Sequence, residues 1–87
     1  MGYRIELKHA AQKQLDELPE PDYKALAIVI SSLAQQPRPA RVKKLADSGP
    51  WRIRARKYRM VYAIDDGARL VTIVRIARRR EDTYKSL

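Results

Sequence analysis

Between Trp51 and Tyr62 the chain reads Trp-Arg-Ile-Arg-Ala-Arg-Lys-Tyr-Arg-Met-Val-Tyr, and a further run, Arg78, Arg79 and Arg80, lies ahead of Tyr84. Guanidinium groups present a fixed fork of donors and hold their charge throughout the physiological range, which suits them to phosphate. From Trp51 to Arg56 apolar and cationic residues alternate. On a β-strand that pattern puts Trp51, Ile53 and Ala55 on a core face and Arg52, Arg54 and Arg56 on the other. Alternate strand positions are about 6.6 Å apart, comparable to the step between phosphates along a nucleic-acid strand. Tyr84, an aromatic beside cations, is suited to stack on a base while the cations hold the backbone. The expected chemistry is anion binding. A solvated strand face with a basic tail is the alternative these residues allow, with Tyr84 packed against the sheet. Tyr58, Tyr62 and Trp51 read first as core.

Groups that move protons are scarce. The single histidine, His9, opens a helix and has no partner in the sequence. Glu81 and Asp82 can cap or pair with the adjacent arginines, and nothing in their spacing favours a base.

The chain has 87 residues, 45% hydrophobic and 33% charged, which suits one small globular domain spanning residues 1–87 and argues against disorder. Nineteen basic side chains against ten acidic ones give a formal charge of +9, pointing to a polyanionic partner. The charge is segregated: residues 1–37 hold four basic and five acidic side chains, residues 38–87 fifteen basic and five acidic. Without cysteine, neither a disulfide nor a thiolate metal site can form. No run approaches a membrane span and no apolar leader opens the chain, so a cytoplasmic location is expected.

The elements that must position the arginines follow from periodicity. Tyr3, Ile5 and Leu7 alternate with Arg4, Glu6 and Lys8, a half-buried strand expected to pair with one much later in the chain. Ala11, Leu15 and Leu18 recur at helical spacing over His9 to Leu18. Pro19 stops that helix, and Tyr23, Leu26, Ala27, Ile30, Leu33 and Ala34 predict a second over Asp22 to Gln35. Two helices joined by so short a turn form a hairpin whose apolar face needs a sheet. The long connection that follows carries Arg38, Arg41, Lys43 and Lys44 to the edge of the Trp51 strand. A turn at Lys57, a strand from Tyr58 to Ile64, an Asp65-Asp66-Gly67 hairpin and a strand from Arg69 to Ala77 complete a meander. Leu70, Val71, Ile73, Val74 and Ile76 leave almost no polar face, so the last strand is expected to be central and covered on both sides.

In order and in residues the chain resembles the RelE/ParE toxin superfamily, and its RelE-like branch in particular. The likeness runs from the strand and helix hairpin through Lys43-Lys44-Leu45, Trp-Arg-Ile-Arg and Tyr-Arg-Met-Val-Tyr to the arginine-rich end at Tyr84. It implies an α+β, microbial-ribonuclease-type fold: a small, mainly antiparallel sheet in the order β-α-α-β-β-β, backed by the helix hairpin and ending in a basic tail or helix. It also implies a type II toxin that enters the ribosomal A site and cleaves mRNA by attack of a ribose 2′-hydroxyl on the adjacent phosphate, without metal or organic cofactor. The implied partners are the ribosome, its message and a RelB-like antitoxin.

By that resemblance Arg59 steadies the charged transition state, Tyr84 stacks on or orients the scissile nucleotide, and Arg80, or by a one-residue shift Arg79, protonates the departing 5′-oxygen. Lys43, Lys44, Arg56, Lys57, Arg78 and Arg79 are the expected RNA contacts. Arg52 and Arg54 stand where the RelE pattern has two lysines, and an arginine does not give up its proton as a lysine can. A base would have to come from Lys43, Lys44, Lys57, Glu81 or Asp82, or proton transfer would involve water or the ribosome. Two alternatives stay open: a ParE-like protein that disables DNA gyrase by binding, and an inactive basic RNA-binding module.

Overall fold

The computed structural model describes residues 2–39, 42–44 and 50–78. Its elements are β1 (Arg4–Leu7), α1 (His9–Asp16), α2 (Glu20–Leu33), β2 (Lys43–Lys44), β3 (Trp51–Ala55), β4 (Tyr58–Asp65) and β5 (Leu70–Arg78). The sheet order is β1-β5-β4-β3-β2. β1 runs parallel to β5, and every other neighbouring pair is antiparallel. The two-residue β2 makes one strand more than expected, because Lys43 and Lys44 pair with Arg52 and Trp51 at the sheet edge. No helix among the described residues is long and apolar enough to cross a membrane.

Both helices cover one face of the sheet. Ala11 and Leu15 of α1 and Leu26, Ile30 and Leu33 of α2 meet Ile53, Met60, Tyr62, Val71, Ile73 and Ile76 in a single core. Burying side chains of this size is worth about 1.5–3 kcal/mol each, an upper bound when measured from an extended chain. In so small a domain, few can be spared. α1 stops at Asp16, two residues short of the expectation, and the Leu18 amide closes a tighter turn on the Leu15 carbonyl at 3.1 Å.

Tyr62 is fully buried, and its hydroxyl donates to the Pro37 carbonyl at 2.7 Å, tying the strand to the segment after α2. Burial pushes the phenol up to about 12. A folded value above the unfolded one near 10 means that the contribution is intact below pH 10 and is lost as pH rises from there toward 12. The protein is therefore expected to lose stability over that interval, with a smaller loss in Tyr62→Phe, as read by denaturant midpoints at pH 8, 10 and 11.

Two turns depart from the sequence reading. Residues 66–69 form a four-residue connection in which the Ala68 amide donates to Asp65 Oδ1 at 3.0 Å. Arg69, with φ 54°, takes the left-handed conformation there, and Gly67 does not. The β3 alternation ends at Ala55. Arg56 enters the two-residue turn at φ 55°, which is strained for a residue with a Cβ. From there its Nε donates to Asp22 Oδ1 at 2.5 Å, while the Tyr58 hydroxyl donates to Asp22 Oδ2 at 3.0 Å.

Arg56 thus fastens the β3–β4 turn to the start of α2. Its hydrogen bond, followed by that of Tyr58, holds the Asp22 carboxyl below its usual value against the opposing effect of burial. Because the folded value is depressed, this stabilisation is complete above the unfolded carboxyl value near 3.9 and is lost as pH falls through the folded one. Asp22→Asn should accordingly be less stable than the parent at pH 7 and flatter between pH 5 and 3. Equal slopes in urea titrations across that range would remove Asp22 from the acid response.

Candidate anion site on the open face of the sheet

The face of the sheet turned away from the helices carries the arginines, and the strand register sets their spacing. Arg54 is directly opposite Arg59, Arg52 is opposite Val61, and Val61 is opposite Arg75. Arg52 and Arg75 therefore occupy the diagonal positions on either side of Arg59, about 7–8 Å away, while Arg54 is about 5 Å away. Lys43 is the register partner of Arg52 on the outer side. Arg52 and Arg59 are half-buried, and Arg54 and Arg75 are exposed.

No described carboxylate is a register partner of these four arginines, and none makes an ion pair with them. Like charges directly opposed across two strands are destabilising. The Nε atom of Arg59 adds to this: it is buried and has no hydrogen-bond partner among the described residues. An unpaired buried donor costs about 1–3 kcal/mol. A bound anion would relieve both penalties, accepting from Arg59 and neutralising the ring around it.

The carboxylates that are present hold other cations. Arg38, expected among the cations delivered to the Trp51 strand, is paired with Asp66 at 2.9 Å and lies over the Trp51 ring at 5.3 Å. The Tyr3 hydroxyl also donates to Asp66, at 2.6 Å, and Arg38 and Tyr3 together keep that carboxyl below its usual value. Among the described residues no group of three or more His, Cys, Asp or Glu is placed to hold a metal ion.

The site residues expected from sequence divide into four groups. Arg52, Arg54 and Arg59 share the open face, as expected. Arg56 does not: it faces Asp22 on the helix side, because the chain turns before the alternation can continue. Arg78 is the register partner of Tyr58, its charge acts on that buried phenol, and it too belongs to the helix side. Lys57 sits in the same turn, close enough to act on Asp22. Lys44 pairs with Trp51 at the sheet edge. Arg79, Arg80 and Tyr84, together with Arg41, Glu81 and Asp82, lie outside the described residues.

Arg75 is the residue the sequence reading missed. β5 is central, but only its helix side is covered: Val74 is 37% exposed and Arg75 is exposed beside it. The cause is a register shift. Val61 pairs with Arg75 while the next residue, Tyr62, pairs with Ile73, so Val74 is an extra residue in a bulge. A bulge turns consecutive side chains out of strict alternation. The one charge inside an otherwise apolar run was the available signal.

A family model described as the ParE toxin of the type II toxin-antitoxin system parDE matches residues 5–83. No curated protein matches the chain in sequence. Among solved structures, the toxin-antitoxin complex RelBE2 from Mycobacterium tuberculosis aligns with a TM-score of 0.80 and 27% identity over 91% of this chain and 100% of that one. The archaeal RelE-RelB complex from Pyrococcus horikoshii OT3 gives 0.84 and 24% over 93% and 99%. The isolated E. coli RelE toxin gives 0.84 and 20% over 97% and 92%.

Proposed function

Since the chain belongs to the ParE toxin family of type II toxin-antitoxin systems, within the RelE/ParE superfamily, we propose that it is a single-domain, ribosome-dependent endoribonuclease acting on mRNA in the cytoplasm and silenced by a RelB-like antitoxin. One observation carries the reading: the half-buried Arg59, with its Nε unpartnered among the described residues, stands within a ring of arginines that no described carboxylate neutralises. Such a preorganised cationic site suits the dianionic phosphorane of phosphodiester cleavage more than it suits a neutral ligand.

In this reaction the ribose 2′-oxygen forms a bond to the adjacent phosphorus and the bond from phosphorus to the 5′-oxygen breaks. The 2′-hydroxyl gives up its proton to water or to a ribosomal group, and the departing 5′-oxygen takes one from the Arg80 or Arg79 guanidinium, which water then reprotonates, leaving a 2′,3′-cyclic phosphate and a 5′-hydroxyl. Arg59 stabilises the charge that develops on the non-bridging oxygens. Arg52 and Arg54 hold the substrate phosphates, and a guanidinium is not a base for the 2′ proton. Catalysis by this face therefore comes from positioning and charge stabilisation. Arg80, or Arg79, is assigned to the departing oxygen and Tyr84 to stacking on the scissile nucleotide, with Lys43, Lys44 and Lys57 as outlying RNA contacts.

A ParE-like inhibitor of DNA gyrase is the second reading. It is favoured by the ParE description of the matching family model and by arginines at 52 and 54, which supply no base. One pair of assays separates the two. Purified protein is incubated with programmed ribosomes and, separately, with naked message, and RNA ends are mapped; a gyrase supercoiling assay runs alongside. Ribosome-dependent ends bearing 5′-hydroxyls are expected. Intact message together with inhibited supercoiling would transfer the protein to the second reading.

A further inference from the structure

The bulge opposite Val61 and Tyr62 does more than interrupt β5. It brings Arg75 into the same register row as Arg52, with Val61 between them, and leaves Val74 exposed alongside. Adjacent strands are about 4.8 Å apart, so Arg52 and Arg75 are separated by roughly 9.6 Å across the sheet. Arg59 lies one diagonal step from each. The cationic site therefore spans three strands and is wider than the pair on β3 that sequence alternation reveals.

We infer that Arg75 is a further phosphate contact and that the RNA backbone crosses the sheet transverse to its strands, from Arg52 and Arg54 on β3, over Arg59 on β4, to Arg75 on β5. The inference rests on reading this face as an RNA site. Without Arg75, all the described cations around Arg59 would lie on its β3 side, and among the described residues none would hold a backbone beyond it. With Arg75, the phosphate at Arg59 is bracketed. Val61 and Val74 offer apolar surface between the cations, suited to a ribose or base edge. An acidic peptide using the sheet would instead add along an edge strand, where unpaired backbone groups are available. The arginines here cross the face, from β3 to β5.

Salt dependence tests the contact, because each phosphate neutralised by a cation contributes its own share of counterion release. Binding of the full-length protein to programmed ribosomes is measured across a KCl series at fixed magnesium for the parent, Arg75→Ala, Arg75→Lys and Arg59→Ala, and message ends are mapped in the same samples. Arg75→Ala is expected to bind several-fold more weakly and to reduce the logarithmic salt slope by about 0.7 to 1. Arg75→Lys, which keeps the point charge, is expected to hold the parental slope. A parental slope in Arg75→Ala alongside a reduced slope in Arg59→Ala overturns the Arg75 contact and leaves the nuclease reading standing. If the parent itself neither binds programmed ribosomes nor cuts message, the nuclease reading is overturned and the inference falls with it.

Discussion

Arg59→Met is expected to lose message cleavage by roughly 10²- to 10³-fold, the usual effect of removing one preorganised donor from a charged transition state. The same protein is expected to melt at a higher temperature than the parent. The two effects share a cause. Arg59 stands opposite Arg54, and its Nε is buried without a partner among the described residues. Methionine keeps an apolar stem of similar length and removes both the repulsion and the unsatisfied donor. A gain of about 1 kcal/mol is consistent with those penalties. For a domain of this size that is roughly 4–8 °C in melting temperature. Calorimetry paired with end-mapping on programmed ribosomes reads both changes. A lowered melting temperature would show that Arg59 serves the fold, and full cleavage would show that it does not serve the reaction.

Met60→Ala should behave in the opposite way, although it changes the very next residue. Met60 is completely buried on the helix side of β4, in contact with the core that α1 and α2 close. Truncating it removes the burial and leaves a cavity, costing about 3 kcal/mol within the usual range for such a change. That corresponds to a fall in melting temperature of roughly 12–24 °C, a large part of the stability of a small domain. Cleavage per folded molecule should survive at low temperature, because Met60 has no access to the open face. A cold single-turnover assay, normalised to the folded fraction by circular dichroism, checks this. If cleavage is lost while the protein remains folded, the two faces of β4 are not independent.

That independence is the part of the protein most legible in the sequence. From Trp51 to Ala55 and from Tyr58 to Tyr62, period-two alternation separates a core side from a cationic side, and the strands keep that division. Apolar spacing located the helix hairpin, since burial of one helical face depends on nearest-neighbour geometry. The order of these elements and the Tyr-Arg-Met-Val-Tyr segment marked the superfamily. All of this is local in the chain.

What depended on contacts between distant segments was not legible. Arg56 continues the alternation in sequence, yet the turn directs it to Asp22, thirty-four residues earlier. Arg38 looked like one more loop cation, but Asp66, twenty-eight residues later, holds it at the opposite end of the sheet from the Arg56 turn. Arg75 was hidden in an apolar run until a bulge, created only by pairing with β4, brought it beside Arg59. Composition and periodicity determined by themselves a helix hairpin, several alternating strands and a strand with one cationic face, and the family resemblance added the α+β fold. Only tertiary structure decided which cations belong to that face, because a charge remains available to a ligand only where folding brings no carboxylate to meet it.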